Sequence, residues 1–356
     1  MTIPVSDTYL KTRAAVMARR LLSRALLEHM ALSPLEALSR DFGLDAILES
    51  SLSQAARNRL AEQALIHALM RDLSVLLRPL DGNARNILIH WSRKFELYNL
   101  KALIRGKLHG LPFDQIKRNL YDLPPLISLP HDRLLRTESI QELLRSLEQG
   151  AFADIALQAR QVYEEKNEPF SLDAAIDRSY YTGMLRRIHR VEPGDRKPLQ
   201  RLVGTLVDQQ NLVWLLRYRF SYCLSPSETY YLLIPFGRRL QREQLKMLVN
   251  LDRFEQVIEH LPNALRSAMQ DVKELLGVEQ RLAAETAVQA HKCLRFSQSA
   301  VTRSLAYLLL REMDLKKIHA LVQGRVLSLS DPLIRIALDM DQDSPGVARS
   351  TVGERV

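Results

Sequence analysis

One helical segment occurs three times in this chain, and that recurrence limits the possible folds more than any other sequence feature. The copies align without gaps and begin 112 and 106 residues apart: FELYNLKALIRGKL at 95–108, VDQQNLVWLLRYRF at 207–220 and MDLKKIHALVQGRV at 313–326. Each copy has an acid at its second position, aliphatic residues three and four apart, and a base near its end. The spacing is typical of an amphipathic helix and predicts a fold of three related helical units.

The charged residues at the two ends of each copy lie on its apolar face. On a helix of 100° per residue, Glu96 and Lys107 fall within about 40° of Leu100. They are 11 residues apart, which is roughly 16 Å along the axis, so they cannot pair with each other. A charge that points toward a core needs a partner. We therefore predict that the acid and the base of each copy bond to other helices, in the pairs Glu96/Lys107, Asp208/Arg219 and Asp314/Arg325.

The alternative is that these long side chains extend to solvent from the two ends of the apolar stripe.

Two further positions are shared by the first two copies only. Asn99 and Asn211 lie beside the apolar face, and their recurrence predicts a side-chain bond to a neighbouring backbone. Arg105 and Arg217 point away from that face, toward solvent or another unit. In the third copy these positions hold lysine and glutamine, at 317 and 323.

A weaker Leu-rich motif recurs at a similar period, with Leu38, Leu144 and Leu248 aligned. Together the two motifs predict an all-α chain of three tandem helical lobes, at 1–130, 131–240 and 241–340, followed by a mobile polar tail at 341–356. Low glycine content, 13 residues of 356, favours helix over a nucleotide-binding α/β fold or a β-rich fold. Three prolines within 121–133 exclude a continuous helix there.

The sequence holds no motif of a catalytic, cofactor or metal site. We find no phosphate-binding glycine loop, no paired cysteine or histidine ligands and no serine nucleophile motif. We therefore expect a protein that is not an enzyme and that has no catalytic residues, cofactor or metal. The net charge of +9 suits nucleic acid, an anionic membrane surface or an acidic protein as partner. No apolar stretch is long enough to predict a membrane span.

The chain resembles the C subunit of the archaeal and bacterial V-type (A-type) ATPase, which corresponds to the d subunit of the vacuolar enzyme's membrane sector. The resemblance covers about residues 8–340 and includes the chain length and the threefold recurrence. It also rests on YLKTR at Tyr9–Arg13, on RRLL ending at Leu22, on the segment around Leu38 and on FELYNLKALIRGK from Phe95.

This resemblance implies a funnel of three similar lobes around a pseudo-threefold axis, without an active site. In that family the funnel sits on the membrane-embedded proteolipid ring and receives the central shaft, which consists of the D and F subunits. It passes torque between ATP chemistry and ion transport. The chain would then be peripheral to the membrane, at its cytoplasmic face, and would bind neither nucleic acid nor a small-molecule substrate.

On this interpretation the basic ends of the repeated helices contact the shaft or the ring, through Arg105, Lys107, Arg217, Arg219 and Arg325. The rival role for these residues is packing between lobes. The acids and amides, Glu96, Asn99, Asp208, Asn211 and Asp314, are predicted to be structural. The alternative function is that of a basic helical repeat that binds nucleic acid or serves as a scaffold.

Overall fold

A computed structural model describes residues 5–166, 168–338 and 340. Over these residues the chain is all-helical, and the only extended pairing described is an isolated bridge between Phe236 and Gln241. The described α-helices are α1 Val5–Met17, α2 Arg24–Leu32, α3 Leu35–Phe42, α4 Asp45–Leu48, α5 Gln54–Leu77, α6 Gly82–Leu108, α7 Phe113–Arg118, α8 His131–Leu135, α9 Ile140–Leu147, α10 Ala153–Lys166, α11 Pro169–Ile188, α12 Pro193–Leu216, α13 Pro226–Leu232, α14 Arg242–Leu248, α15 Phe254–Glu259, α16 Asn263–Ala268, α17 Leu275–Phe296, α18 Ala300–Val326 and α19 Asp331–Ala337.

Apolar residues recur at three- and four-residue spacing over 8–30 and 263–292, which predicts a long helix in each segment, whereas the structure divides each segment between two α-helices. The pattern over 8–30 is broken before α2, because the Ser23 hydroxyl accepts the Leu26 N–H and caps a new helix there. The pattern over 263–292 is split between α16 and α17, where Asp271 has a left-handed backbone with φ of 67°. The proline-rich segment between α7 and α8 is irregular, as predicted.

The chain divides into two compact units. Met1–Arg20 and Ile66–Glu312 form the first, and Leu21–Leu65 and Met313–Val356 form the second. In the first unit, the apolar face of α6 packs into a core with α8, α9, α10 and α11 through residues such as Leu100, Leu103 and Ile104. The lobe boundaries at 130, 240 and 340, and the threefold funnel, remain predictions. The predicted tail at 341–356 lies outside the described residues.

Two glycines at equivalent positions allow close helix packing near the ends of the repeated helices. A Cβ atom at Gly106 of α6 would lie 2.6 Å from Ile116 of α7, and one at Gly324 of α18 would lie 2.9 Å from Ile334 of α19. Tyr218 takes this position in the second copy, where the chain continues beyond α12 as a π-helical turn at Arg217–Ser221. The wider turn makes room for a ring where the other copies have no side chain.

Replacing Gly106 by alanine should lower the free energy of unfolding by about 1–2 kcal/mol, because overpacking against buried Ile116 outweighs the gain in helix propensity. The matched control is Gly194→Ala in α12, where a Cβ would meet no atom within 4 Å. Urea unfolding followed by tryptophan fluorescence compares the two, since both tryptophans, Trp91 and Trp214, lie in the first unit. Equal stability of both variants would contradict the packing role of Gly106.

Candidate functional site

The acid of the first copy lies in a polar network inside the first unit. Glu96 is fully buried, and its carboxylate accepts the backbone N–H of Leu129 at 3.0 Å. The same carboxylate contacts Nε2 of His131 at 2.6 Å and accepts a hydrogen bond from the Asn99 amide at 3.0 Å. Leu129 lies two residues before α8 begins. Glu96 therefore fixes the chain at the entry to α8.

The acid of the second copy makes the equivalent contacts. Asp208 is buried and accepts the backbone N–H groups of Arg239 at 2.8 Å and Leu240 at 3.0 Å. Leu240 lies two residues before α14. Burial raises the pKa of Asp208 to about 6, against the opposing effect of these backbone bonds. Gly237 permits the approach, because a Cβ there would lie 2.2 Å from the carboxylate.

The acid of the third copy takes its partner from the N-terminal part of the chain. Asp314 accepts the backbone N–H of Leu22 at 2.9 Å, across a sequence separation of 292 residues. Leu22 lies two residues before α2. The short helices α8, α14 and α2 are thus each held at their entry by the acid of one repeated helix.

The base of each copy contacts the other end of the same short helix. Lys107 donates to the carbonyls of Leu135 at 2.9 Å and Thr137 at 2.5 Å, at the end of α8. Arg219 donates to Val249 at 2.8 Å, just after α14. Arg325 donates to the carbonyl of Ala31 in the last turn of α2. A cation suits this position because the last carbonyls of a helix lack partners and carry partial negative charge.

Each repeated helix therefore holds one short helix at both ends, by an acid at its start and a base at its end. We call these sets the first, second and third polar networks: Glu96, Lys107 and α8; Asp208, Arg219 and α14; Asp314, Arg325 and α2. These contacts agree with the prediction that the charges bond to other helices, and not with its alternative, extension to solvent.

The two asparagines each bind the backbone N–H and carbonyl of one residue, and the predicted bond to a neighbouring backbone is therefore present. Asn99 accepts the N–H of Tyr121 at 2.7 Å and donates to its carbonyl at 2.9 Å, 22 residues away. Asn211 makes the same pair with Ile234, at 2.8 Å for both bonds, 23 residues away. The π-helical turn absorbs the additional residue. In the third copy Lys317 is exposed, and the residue 22 positions later, 339, lies outside the described residues.

Arg105 and Arg217 differ from the network bases, because their side chains are about half exposed. Arg105 lies 4.0 Å from the Asp173 carboxylate, and Arg217 lies 2.6 Å from that of Glu279. Half-exposed ion pairs of this kind add little to stability. Their guanidinium groups remain accessible on the surface of the first unit.

Two features of the networks are not evident in the sequence patterns. His131 has no paired ligand at helical spacing, yet it contacts Glu96 across 35 residues. The alignment of Leu248 with Leu38 and Leu144 is wrong, because Leu248 lies one helix earlier in its copy than the other two leucines do in theirs. Leu38 and Leu144 lie in α3 and α9, which follow the held helices α2 and α8, whereas Leu248 lies in the held helix α14 itself. Short Leu-rich helices in succession satisfy the same spacing, which explains the error.

Comparison with known proteins identifies the family. The model of the family described as "ATP synthase (C/AC39) subunit" matches residues 10–335. The chain belongs to this family. The resemblance drawn from the repeats is confirmed, and the family is that of a subunit of the A/V-type ATPase, whose partners are other subunits of that assembly.

The chain is similar to archaeal proteins over most of its own length and of theirs. The chain is 22% identical over 336 residues to the C subunit of the A-type ATP synthase of Methanosarcina barkeri, covering 92% of this chain and 91% of the relative. It is 22% identical over 324 residues to that of Methanocaldococcus jannaschii, covering 88% and 80%. It is 25% identical over 278 residues to that of Halorubrum lacusprofundi, covering 76% and 78%.

Across 5–166, 168–338 and 340, no group of three or more His, Cys, Asp and Glu side chains is arranged to hold a metal ion. In the same part of the chain, no helix is both long and apolar enough to cross a membrane. The recurring acids, and the bases Lys107, Arg219 and Arg325, bond to backbone groups of the chain itself.

Proposed function

We propose that this chain is the non-catalytic rotor connector of its ATPase, which seats the central shaft, the D and F subunits, on the membrane proteolipid ring. It would transmit torque between ATP chemistry and ion transport. The observation that carries the proposal is the threefold set of polar networks. A connector under torque needs helices that do not slide against each other, and each network fixes a short helix at both ends.

The burial of the network acids supports a role in rigid packing rather than a role in binding a partner. Glu96 and Asp208 are at most 2% exposed, and their carboxylates bind backbone N–H groups, so they are not available to a partner. Buried hydrogen bonds to charged groups are strong, and removal of one partner is costly. The networks thus favour a fixed arrangement of helices within each unit.

The partner contacts are proposed to involve the basic residues near the ends of the repeated helices. Lys107, Arg219 and Arg325 donate to carbonyls of the chain itself, which supports a packing role for them. Arg105 and Arg217 keep about half of their side-chain surface exposed, which supports contact with the shaft or the ring. The net charge of +9 suits a position at the cytoplasmic face of the membrane, near anionic headgroups.

The proposal is tested by purifying the tagged chain from its own membranes in mild detergent and identifying the co-purified proteins by mass spectrometry. We expect the shaft subunits and the proteolipid to be recovered together. The double variant Arg105→Glu/Arg217→Glu should recover less of them while remaining folded. Recovery of nucleic acid, or of no protein from the membrane fraction, would favour the alternative of a nucleic-acid-binding repeat or a free scaffold.

A further inference from the structure

A cleft in the first unit lies between α10, α11 and the segment that runs from α13 to Pro235. Its volume is about 310 Å³, which is the space of roughly ten water molecules. This volume is at the lower end of the range of pockets that hold small ligands. Arg178, Thr182 and Arg186 of α11 are spaced by four, so they share the helix face that borders the cleft. No residue of the three polar networks lines it.

One part of the cleft wall is apolar. It includes the buried side chains of Val162, Ala175 and Leu232. Leu157 and Tyr231 also line the cleft, and they are 38% and 50% exposed. Covering exposed apolar surface is favourable, so this wall suits the apolar body of a ligand.

Arg178 supplies a cation that has no acidic partner. Its Nε donates to the Leu233 carbonyl at 3.1 Å, and its guanidinium lies over the Tyr231 ring at 5.5 Å from the ring centre. Within the described part of the chain, no carboxylate forms an ion pair with Arg178, and neither Nη atom has a hydrogen-bond partner. A guanidinium held in this way presents planar donors that match the two oxygens of a carboxylate.

The other charges of the cleft compensate each other. Arg186 donates to the Asp154 carboxylate at 3.0 Å, and both residues line the cleft. The charged lining residues are Asp154, Arg178 and Arg186, so one negative and two positive charges leave a net charge of +1. The cleft therefore suits a ligand with a single negative charge, placed at Arg178.

We propose that this cleft binds a small carboxylate with an apolar body. The carboxylate pairs with the guanidinium of Arg178, and the apolar body covers Leu157, Ala175 and Leu232. The volume admits about ten non-hydrogen atoms, so a straight-chain acid of about eight carbons fills it. This inference does not depend on the role of the chain as a rotor connector.

The first test is a titration of the full chain with octanoate at pH 7, followed by NMR of ¹³C-methyl-labelled alanine and leucine. We expect the methyl resonances of Leu157, Ala175 and Leu232 to shift and to saturate at one octanoate per chain. Octanamide has the same size and no charge, and acetate has the charge without the apolar body. Each should bind at least roughly 10-fold more weakly than octanoate, because each lacks one of the two interactions.

The second test uses variants of the cleft. Arg178→Met should weaken octanoate binding by roughly 10-fold and leave octanamide binding unchanged, which separates loss of the cation from loss of the cleft. Leu157→Glu adds a negative charge at an exposed position of the wall and should also weaken octanoate binding. Leu126→Glu is the matched control, because Leu126 is an exposed leucine of the same unit that does not line the cleft.

The control variant should bind octanoate as the unchanged chain does. Octanamide that binds as tightly as octanoate would overturn the proposal, and so would methyl shifts confined to residues outside the cleft. Equal losses of octanoate binding in Leu157→Glu and Leu126→Glu would also overturn it.

Discussion

Replacing Asn211 by alanine is expected to lower the free energy of unfolding of the first unit by about 3 kcal/mol. The Asn211 side chain is fully buried, and its amide satisfies both the N–H and the carbonyl of Ile234 at 2.8 Å. Alanine would leave two buried backbone groups without partners, and each such loss costs about 1–3 kcal/mol. Urea unfolding followed by the fluorescence of Trp91 and Trp214 measures the change.

The matched control for this substitution is Asn250→Ala, because Asn250 is an exposed asparagine of the same unit. Its amide donates to the Lys246 carbonyl at 2.7 Å, in contact with solvent. Water can replace this bond, so the control should lose no more than about 0.5 kcal/mol. If Asn211→Ala were as stable as Asn250→Ala, the asparagine would not hold the connection between α12 and α14.

Replacing Arg219 by methionine is expected to lower the free energy of unfolding by about 2 kcal/mol. The Arg219 side chain is 12% exposed and donates to the carbonyls of Val249, Leu224 and Leu251, at 2.8, 2.8 and 3.4 Å. Methionine retains most of the apolar length but no donor, so the carbonyls after α14 lose their cation. The same urea titration measures the loss.

Arg217→Met is the control on the same turn of the chain. Its partner Glu279 and Arg217 itself are both more than one third exposed, so we expect a loss of about 0.5 kcal/mol or less. The two variants thus separate a structural base from an accessible one. Similar losses in both would mean that the second polar network contributes no more to stability than a surface ion pair.

The recurrence within the sequence predicts the apolar face, the internal bonding of its charges and the backbone role of Asn99 and Asn211. Each of these follows from helical geometry and from the cost of burying an unpaired polar group. The sequence does not show which short helix each acid and base contact, because α8, α14 and α2 share little sequence. Their common property is their position between an acid and a base of a repeated helix.

Local sequence patterns do not predict the third polar network, for a different reason. Asp314 and Arg325 take their partners from Leu22 and Ala31, nearly the whole chain length away. A period read along the chain assigns the N-terminal segment to the first copy, whereas hydrogen bonds assign it to the third. Only contacts between residues distant in sequence resolve this. The π-helical turn after α12 is hidden for a related reason, since one additional residue leaves the helical pattern almost unchanged.

Coupling of ATP hydrolysis to ion transport tests the role of the chain most directly. Membrane vesicles are prepared from cells of the natural source that lack the chain and from cells to which it is restored. ATP hydrolysis and ATP-driven ion uptake are measured on both preparations. A connector predicts that ATP hydrolysis continues without the chain, that ion uptake into membrane vesicles is lost, and that the restored chain recovers it. Ion uptake that persists without the chain would contradict the proposed function.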